Sequence, residues 1–160
     1  MKAAGQRLLL ISRDTLQAAL DATPDEPSVQ RIFRMLATLS RHGFHLLLTA
    51  PEPERWVPTR GNVDVALNSQ NTLMERTRVA GGELEGVYYV PRSLLTQDRN
   101  REGALLDILK RYALQAGDAT LLSSSAPFLK AAERLGLSIV EIIPPGKTGS
   151  TLVKELKKFL

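Results

Sequence analysis

Leu8, Leu9, Leu10 and Ile11 form an apolar run with no polar residue inside it, closed by Ser12. A strand with one wet face alternates apolar and polar residues. An uninterrupted run instead suits a strand covered on both faces, as in a parallel sheet sandwiched between helices. Further strand-like, mainly apolar stretches recur at Phe44 to Leu48, closed by Thr49, at Val87 to Val90, at Thr120 to Leu122, closed by Ser123-Ser124-Ser125, and at Leu137 to Ile143.

Between these runs the apolar spacing changes to a helical period. Val29, Ile32, Phe33, Leu36 and Leu39 share one helix face, with Ser28 as the expected N-cap and Arg41-His42-Gly43 as the stop. A second helix is expected over residues 63–79, closed by Gly81-Gly82, and a third through Leu105, Ile108, Leu109 and Tyr112. Phe128 to Leu135, stopped by Gly136, and Leu152, Val153, Leu156 and Phe159, capped by Ser150, give two more. Residues 50–62 carry several prolines and read as loop, residues 91–100 as polar loop, and residues 144–149 as a turn. The alternation predicts an α/β fold: a three-layer, Rossmann-like arrangement with a mainly parallel five-stranded sheet and right-handed crossovers. Residues 1–160 are expected to form one domain, since no repeat or composition break divides them.

Composition narrows the function classes. The 43% hydrophobic fraction supports a core. The net charge of +4 comes from basic residues interspersed with acidic ones, with no recognition motif, which does not favour nucleic acid. There is no cysteine, so disulfides and thiolate metal sites are excluded. The apolar run after Arg7 is too short for a signal sequence or membrane span, and a cytoplasmic location is the expectation.

In open α/β sheets ligands bind beyond the carboxyl ends of the strands. Those ends hold Ser12 and Asp14, Thr49, the Val90 to Arg92 stretch, and Ser124. In order and spacing these segments resemble the motifs of the haloacid dehalogenase (HAD) superfamily, nearest its small heptose-bisphosphate and histidinol-phosphate phosphatases. Ser12-Arg13-Asp14-Thr15-Leu16 stands where that branch has D-R-D-G followed by Thr or Val. Thr49 ends the second strand as the second motif does, and Leu84-Glu85-Gly86-Val87-Tyr88-Tyr89-Val90-Pro91 is similar to a strand ending Y-Y-C-P. Asp98 to Ala104 takes the place of the basic R-K-P motif, Leu122-Ser123-Ser124 that of V-G-D, and Pro145-Gly146-Lys147 that of a T-G-K turn.

The resemblance implies a HAD fold with strand order 5-4-1-2-3 and no large cap domain. It also implies a changed site. The family's nucleophilic aspartate aligns with Ser12, its magnesium-binding aspartate with Ser124 and its next acidic position with Phe128; Asp14 alone keeps the general acid/base position. Phosphoryl transfer needs positive charge on the developing oxyanions, normally a Mg²⁺ held by one or two carboxylates. The expectation is a degenerate protein without phosphatase activity and without a cofactor, binding a small phosphate-containing ligand or a protein partner. Ser12, Asp14, Thr49, Arg99 and Ser124 are the candidate ligand residues, with Arg99 or Arg101 supplying the charge of the family's lysine. The alternative is a weak phosphatase on a small sugar phosphate, with Mg²⁺ and Asp14 in play. Homo-oligomerisation stays open. The branch's zinc loop has no counterpart, because Val90 and Arg92 stand at its Cys and His positions.

Other features have plainer readings. Asp14 just past a strand also suits a turn or cap. His42 sits at a helix end, where its charge complements the dipole, and His45 inside a strand; neither is placed for a triad with Ser12. Gly146-Lys147-Thr148 fails as a phosphate-binding loop because Glu141 replaces the leading glycine. Trp56, in the loop from Pro51, suits an anchor for its own loop or a cover for the site.

Overall fold

The computed structural model describes residues 7–52, 60–143 and 148–160, with side chains from residue 68 in the helix that starts at 60 and from residue 151 in the one that starts at 148. Five strands, β1 (Arg7–Ser12), β2 (Phe44–Pro51), β3 (Val87–Val90), β4 (Ala119–Ser123) and β5 (Ser138–Glu141), form one sheet in the order β3-β2-β1-β4-β5. All four pairings are parallel. This is the expected α/β architecture and strand order.

The apolar run of β1 explains itself in the packing. Successive side chains of a strand point to opposite faces. Leu9 and Ile11 pack with Leu16 of α1 (Arg13–Asp21), Phe33 and Leu36 of α2 (Glu26–Arg41), Leu73 of α3 (Arg60–Val79), and Leu152 and Leu156 of α6 (Thr148–Lys157). Leu8 and Leu10 pack with Leu105 and Ile108 of α4 (Gln97–Tyr112) and Leu129 and Ala132 of α5 (Ala126–Leu135). Each β1 leucine is at most 1% exposed, because helices cover both faces. Between β2 and β3 the described residues hold α3 and a connection through Gly82. A Cβ on Gly82 would lie 2.4 Å from the Ala37 backbone, so that close approach to α2 requires glycine.

Several local expectations are corrected. Helix α1 was not expected; it carries Leu16, Ala19 and Leu20 at helical spacing directly after the first strand. The N-cap of α2 is Asp25, whose carboxylate accepts from Ser28 N at 3.0 Å; Ser28 lies inside the first turn. An Asp beats a Ser here because its carboxylate accepts from both the amide and the hydroxyl of Ser28. Helix α4 begins at Gln97, so the tail of the expected 91–100 loop is helical. Strand β5 is shorter than residues 137–143. Helix α6 begins at Thr148, so Ser150 lies within it and does not cap it. The Pro145-Gly146-Lys147 turn and Trp56 lie outside the described residues.

Candidate functional site

The register fixes the site. Ser12 pairs with Thr49 across β1 and β2, and Ile11 pairs with Leu122, which brings Ser12 beside Ser123. Parallel neighbours run about 4.8 Å apart, so the strand ends share one mouth. A cleft of about 700 Å³ opens there. Ser12, Asp14, Thr49 and Ser124, separated by up to 112 residues in the chain, all line it. Arg99 does not. It borders a separate depression with Leu94, Leu95 and Asp98, because two residues' turn about α4, roughly 200°, separates it from Gln97 and Arg101 on the cleft side. Arg101, the other basic residue considered, lines the cleft, as does Arg92.

The strand-end hydroxyls are bonded to one another. Ser12 Oγ donates to Ser123 Oγ at 2.7 Å, and Ser123 Oγ accepts Ser125 N at 3.0 Å. Thr15 Oγ1 lies 2.9 Å from Ser124 Oγ and accepts Ser124 N at 2.9 Å. These bonds stitch the start of α1 to the β4–α5 turn. Thr49 Oγ1 differs: Thr49 is 2% exposed, and its hydroxyl has no hydrogen-bond partner, alone among the buried side-chain polar atoms of the described residues. A buried hydroxyl without a partner costs about 1–3 kcal/mol.

Two helices begin at this mouth. Ser12 is the N-cap of α1 and Ser125 that of α5, and neither side chain caps its helix. First-turn amides at helix N-termini attract anions through their unsatisfied N–H groups and the dipole. Asp14 is not a cap or turn brace, as its position had suggested. It sits in the first turn of α1, exposed, 3.3 Å from Arg13 Nη2. Phe128, from the start of α5, adds a ring to the wall.

The histidines lie elsewhere. His42 ends α2, its Nδ1 2.7 Å from Thr38 O. His45 pairs with Leu8, four residues before Thr49 along β2, which is about 13 Å from the mouth at the usual rise per residue. Its Nδ1 lies 2.8 Å from Glu85 Oε2. No histidine therefore reaches Ser12. Sequence reasoning passed over Thr15, which ties Ser124 in place, and Leu94 and Gln97 of the β3–α4 connection. Thr15 was findable as the residue after Asp14 in a helical first turn; Leu94 and Gln97 had no signal, because their place follows from how the connection folds back.

Among the described residues no three His, Cys, Asp or Glu side chains are grouped to hold a metal, and no helix is long and apolar enough to cross a membrane.

No protein-family model matches the sequence. No curated protein sequence matches it either. Solved structures do. The D,D-heptose 1,7-bisphosphate phosphatase of B. bronchiseptica, complexed with magnesium and phosphate, superposes with a TM-score of 0.66 at 14% identity, over 97% of this chain and all of that one. The corresponding phosphatase of Burkholderia thailandensis gives a TM-score of 0.59 at 15% identity, over 96% of this chain and 98% of that one. An uncharacterized Corynebacterium glutamicum protein gives 0.55 at 17% identity, covering 96% of each chain. With the strand order and the helices on both faces, these likenesses identify the architecture: the chain has a haloacid dehalogenase-like fold, shared with the D,D-heptose bisphosphate phosphatases.

Proposed function

We propose that this protein binds the phosphate group of a small ligand in the strand-end cleft and does not hydrolyse it. The observation that carries the reading is Thr49, a residue of the cleft lining whose buried hydroxyl lacks a partner. A ligand oxygen is the partner it lacks. The uncapped starts of α1 and α5 favour a negative charge at the same place, which Arg92 and Arg101, the latter paired with Asp98, also line.

The chemistry of the donors argues against turnover. A serine nucleophile needs an adjacent base. Ser12 Oγ instead donates to Ser123 Oγ. Asp14 is the one carboxylate among the described residues that line the cleft, and it pairs with Arg13. Mg²⁺ is a hard ion that relies on carboxylates, and a single exposed, ion-paired one does not fit it. By the motif resemblance, Ser12 and Ser124 stand where phosphatases of this fold have aspartates. Retention of Asp14 is the one feature that favours the second reading, a weak phosphomonoester hydrolase.

One experiment separates the two. Inorganic phosphate is expected to raise the melting temperature in a saturable way, by mass action on the folded state. p-Nitrophenyl phosphate with Mg²⁺ is expected to be left intact. Saturable, Mg²⁺-dependent turnover that disappears in Asp14→Asn would establish the phosphatase instead.

A further inference from the structure

We infer that the phosphate group this cleft binds is carried on an apolar, ring-sized body, so that the ligand is an aryl-type phosphomonoester and not a polyol phosphate. The inference rests on the phosphate-binding reading above and concerns the other half of the same cleft.

The cleft's apolar lining residues are Ala50, Pro51, Val90, Leu94 and Phe128. Leu94 is the telling residue. It borders the cleft at its rim and is fully exposed, at 102% of the reference value. A leucine left in water at the rim of a cleft is a surface that a ligand can cover. The backbone that presents it is held in place. Ser93 N donates to Gln97 Oε1 at 2.9 Å, and Gln97 Nε2 and Asn100 Nδ2 both donate to Pro91 O, at 3.0 and 3.2 Å.

The polar groups on this side are already engaged. Gln97 spends its carbonyl on Ser93 N and its amide on Pro91 O. Ser93 Oγ accepts from Thr96 Oγ1 at 2.7 Å, and Arg101 Nη1 donates to Asp98 Oδ1 at 2.8 Å. A polyol needs a donor or acceptor for each hydroxyl it desolvates, and breaking these pairs to serve it gains little. A ring needs none. It can lie between Leu94 and Phe128 while its phosphate reaches Ser12, Thr49 and Ser124. The volume of about 700 Å³ accommodates a ring with its phosphate.

The test compares three probes by calorimetry on the intact chain: inorganic phosphate, glycerol 3-phosphate and phenyl phosphate. Phenyl phosphate is expected to bind about tenfold tighter than either of the others, a preference of the size that covering one leucine supplies. Leu94→Ser is expected to bring the ratio of phenyl phosphate to phosphate affinity close to one, and Leu95→Ser, at an equally exposed position outside the cleft lining, to leave the ratio as it is. Phosphate binding with no preference for phenyl phosphate, or a preference that survives Leu94→Ser, overturns this inference and leaves the phosphate site standing. Failure of all three probes to bind overturns both.

Discussion

Two polar clusters flank the sheet, and they differ in whether their groups are satisfied. Beside β3 and α4, Tyr88 donates to Asp107 at 2.6 Å and Arg111 Nε donates to the same carboxylate at 3.2 Å. Tyr112 donates to Glu85 at 3.1 Å, and His45 lies against the other Glu85 oxygen at 2.8 Å. Each phenol and carboxylate there has a partner from another element, which is how a cluster locks a helix onto a sheet. At the carboxyl ends of β1, β2 and β4 the hydroxyls are also networked, but Thr49 Oγ1 is buried without a partner, two helix starts are uncapped by side chains, and Leu94 stands in water. A polar cluster that closes on itself contributes to stability; the one left open at the cleft is what the proposed phosphate binding rests on.

The sharpest way to break this contrast is to convert the open cluster into carboxylates. Ser12→Asp with Ser124→Asp is expected to abolish phosphate binding, through like-charge repulsion at the mouth, and to create a Mg²⁺ site with Asp14. Calorimetry with each ion checks both changes; phosphate affinity unchanged in the double variant would remove these serines from the site.

A smaller effect separates an open group from a satisfied one. Thr49→Val keeps the side-chain shape and deletes the orphan hydroxyl. It is expected to stabilise the ligand-free protein by about 1 kcal/mol, raising the melting temperature by about 3 °C, while weakening the phosphate-induced shift. Destabilisation in chemical denaturation would mean that the hydroxyl is satisfied in solution.

The smallest effect tests the closed cluster. Burial, then the Glu85 carboxylate, push the Tyr112 phenol up to about 12 from 10.0. The folded chain therefore holds a proton that the unfolded chain releases from pH 10 upward. The stability linked to it is fully present below pH 10 and is lost between pH 10 and 12. Tyr112→Phe is expected to cost only about 0.5 kcal/mol at pH 8 and to flatten that alkaline loss. Tyr88, whose phenol is raised by burial and then by Asp107, keeps the remainder. An unchanged alkaline profile would show that Tyr112 is not held as its geometry indicates.

The α/β class and the parallel sheet were legible in the sequence, because apolar runs such as Leu8 to Ile11 and Leu46 to Leu48 suit strands buried between two layers of helices, and the strand order was what the motif resemblance implied. The strand-end positions of Ser12, Asp14, Thr49 and Ser124 followed from the same pattern, since sheet topology decides which loops meet. Local ends were less legible. Asp25 and Ser28 compete for the same amides, and only the chain's entry into α2 selects Asp25. Arg99 and Arg101 are indistinguishable as letters; a two-residue step along α4 rotates one side chain about 200° from the other, and packing of Leu105 and Ile108 against the sheet decides that Arg101 lines the cleft. Composition and periodicity thus determined the layers and the mouth of the site. The tertiary structure alone decided which hydroxyl is orphaned, which arginine arrives and that Leu94 borders the cleft, because those depend on side-chain direction and hydrogen-bond competition that a linear pattern does not encode.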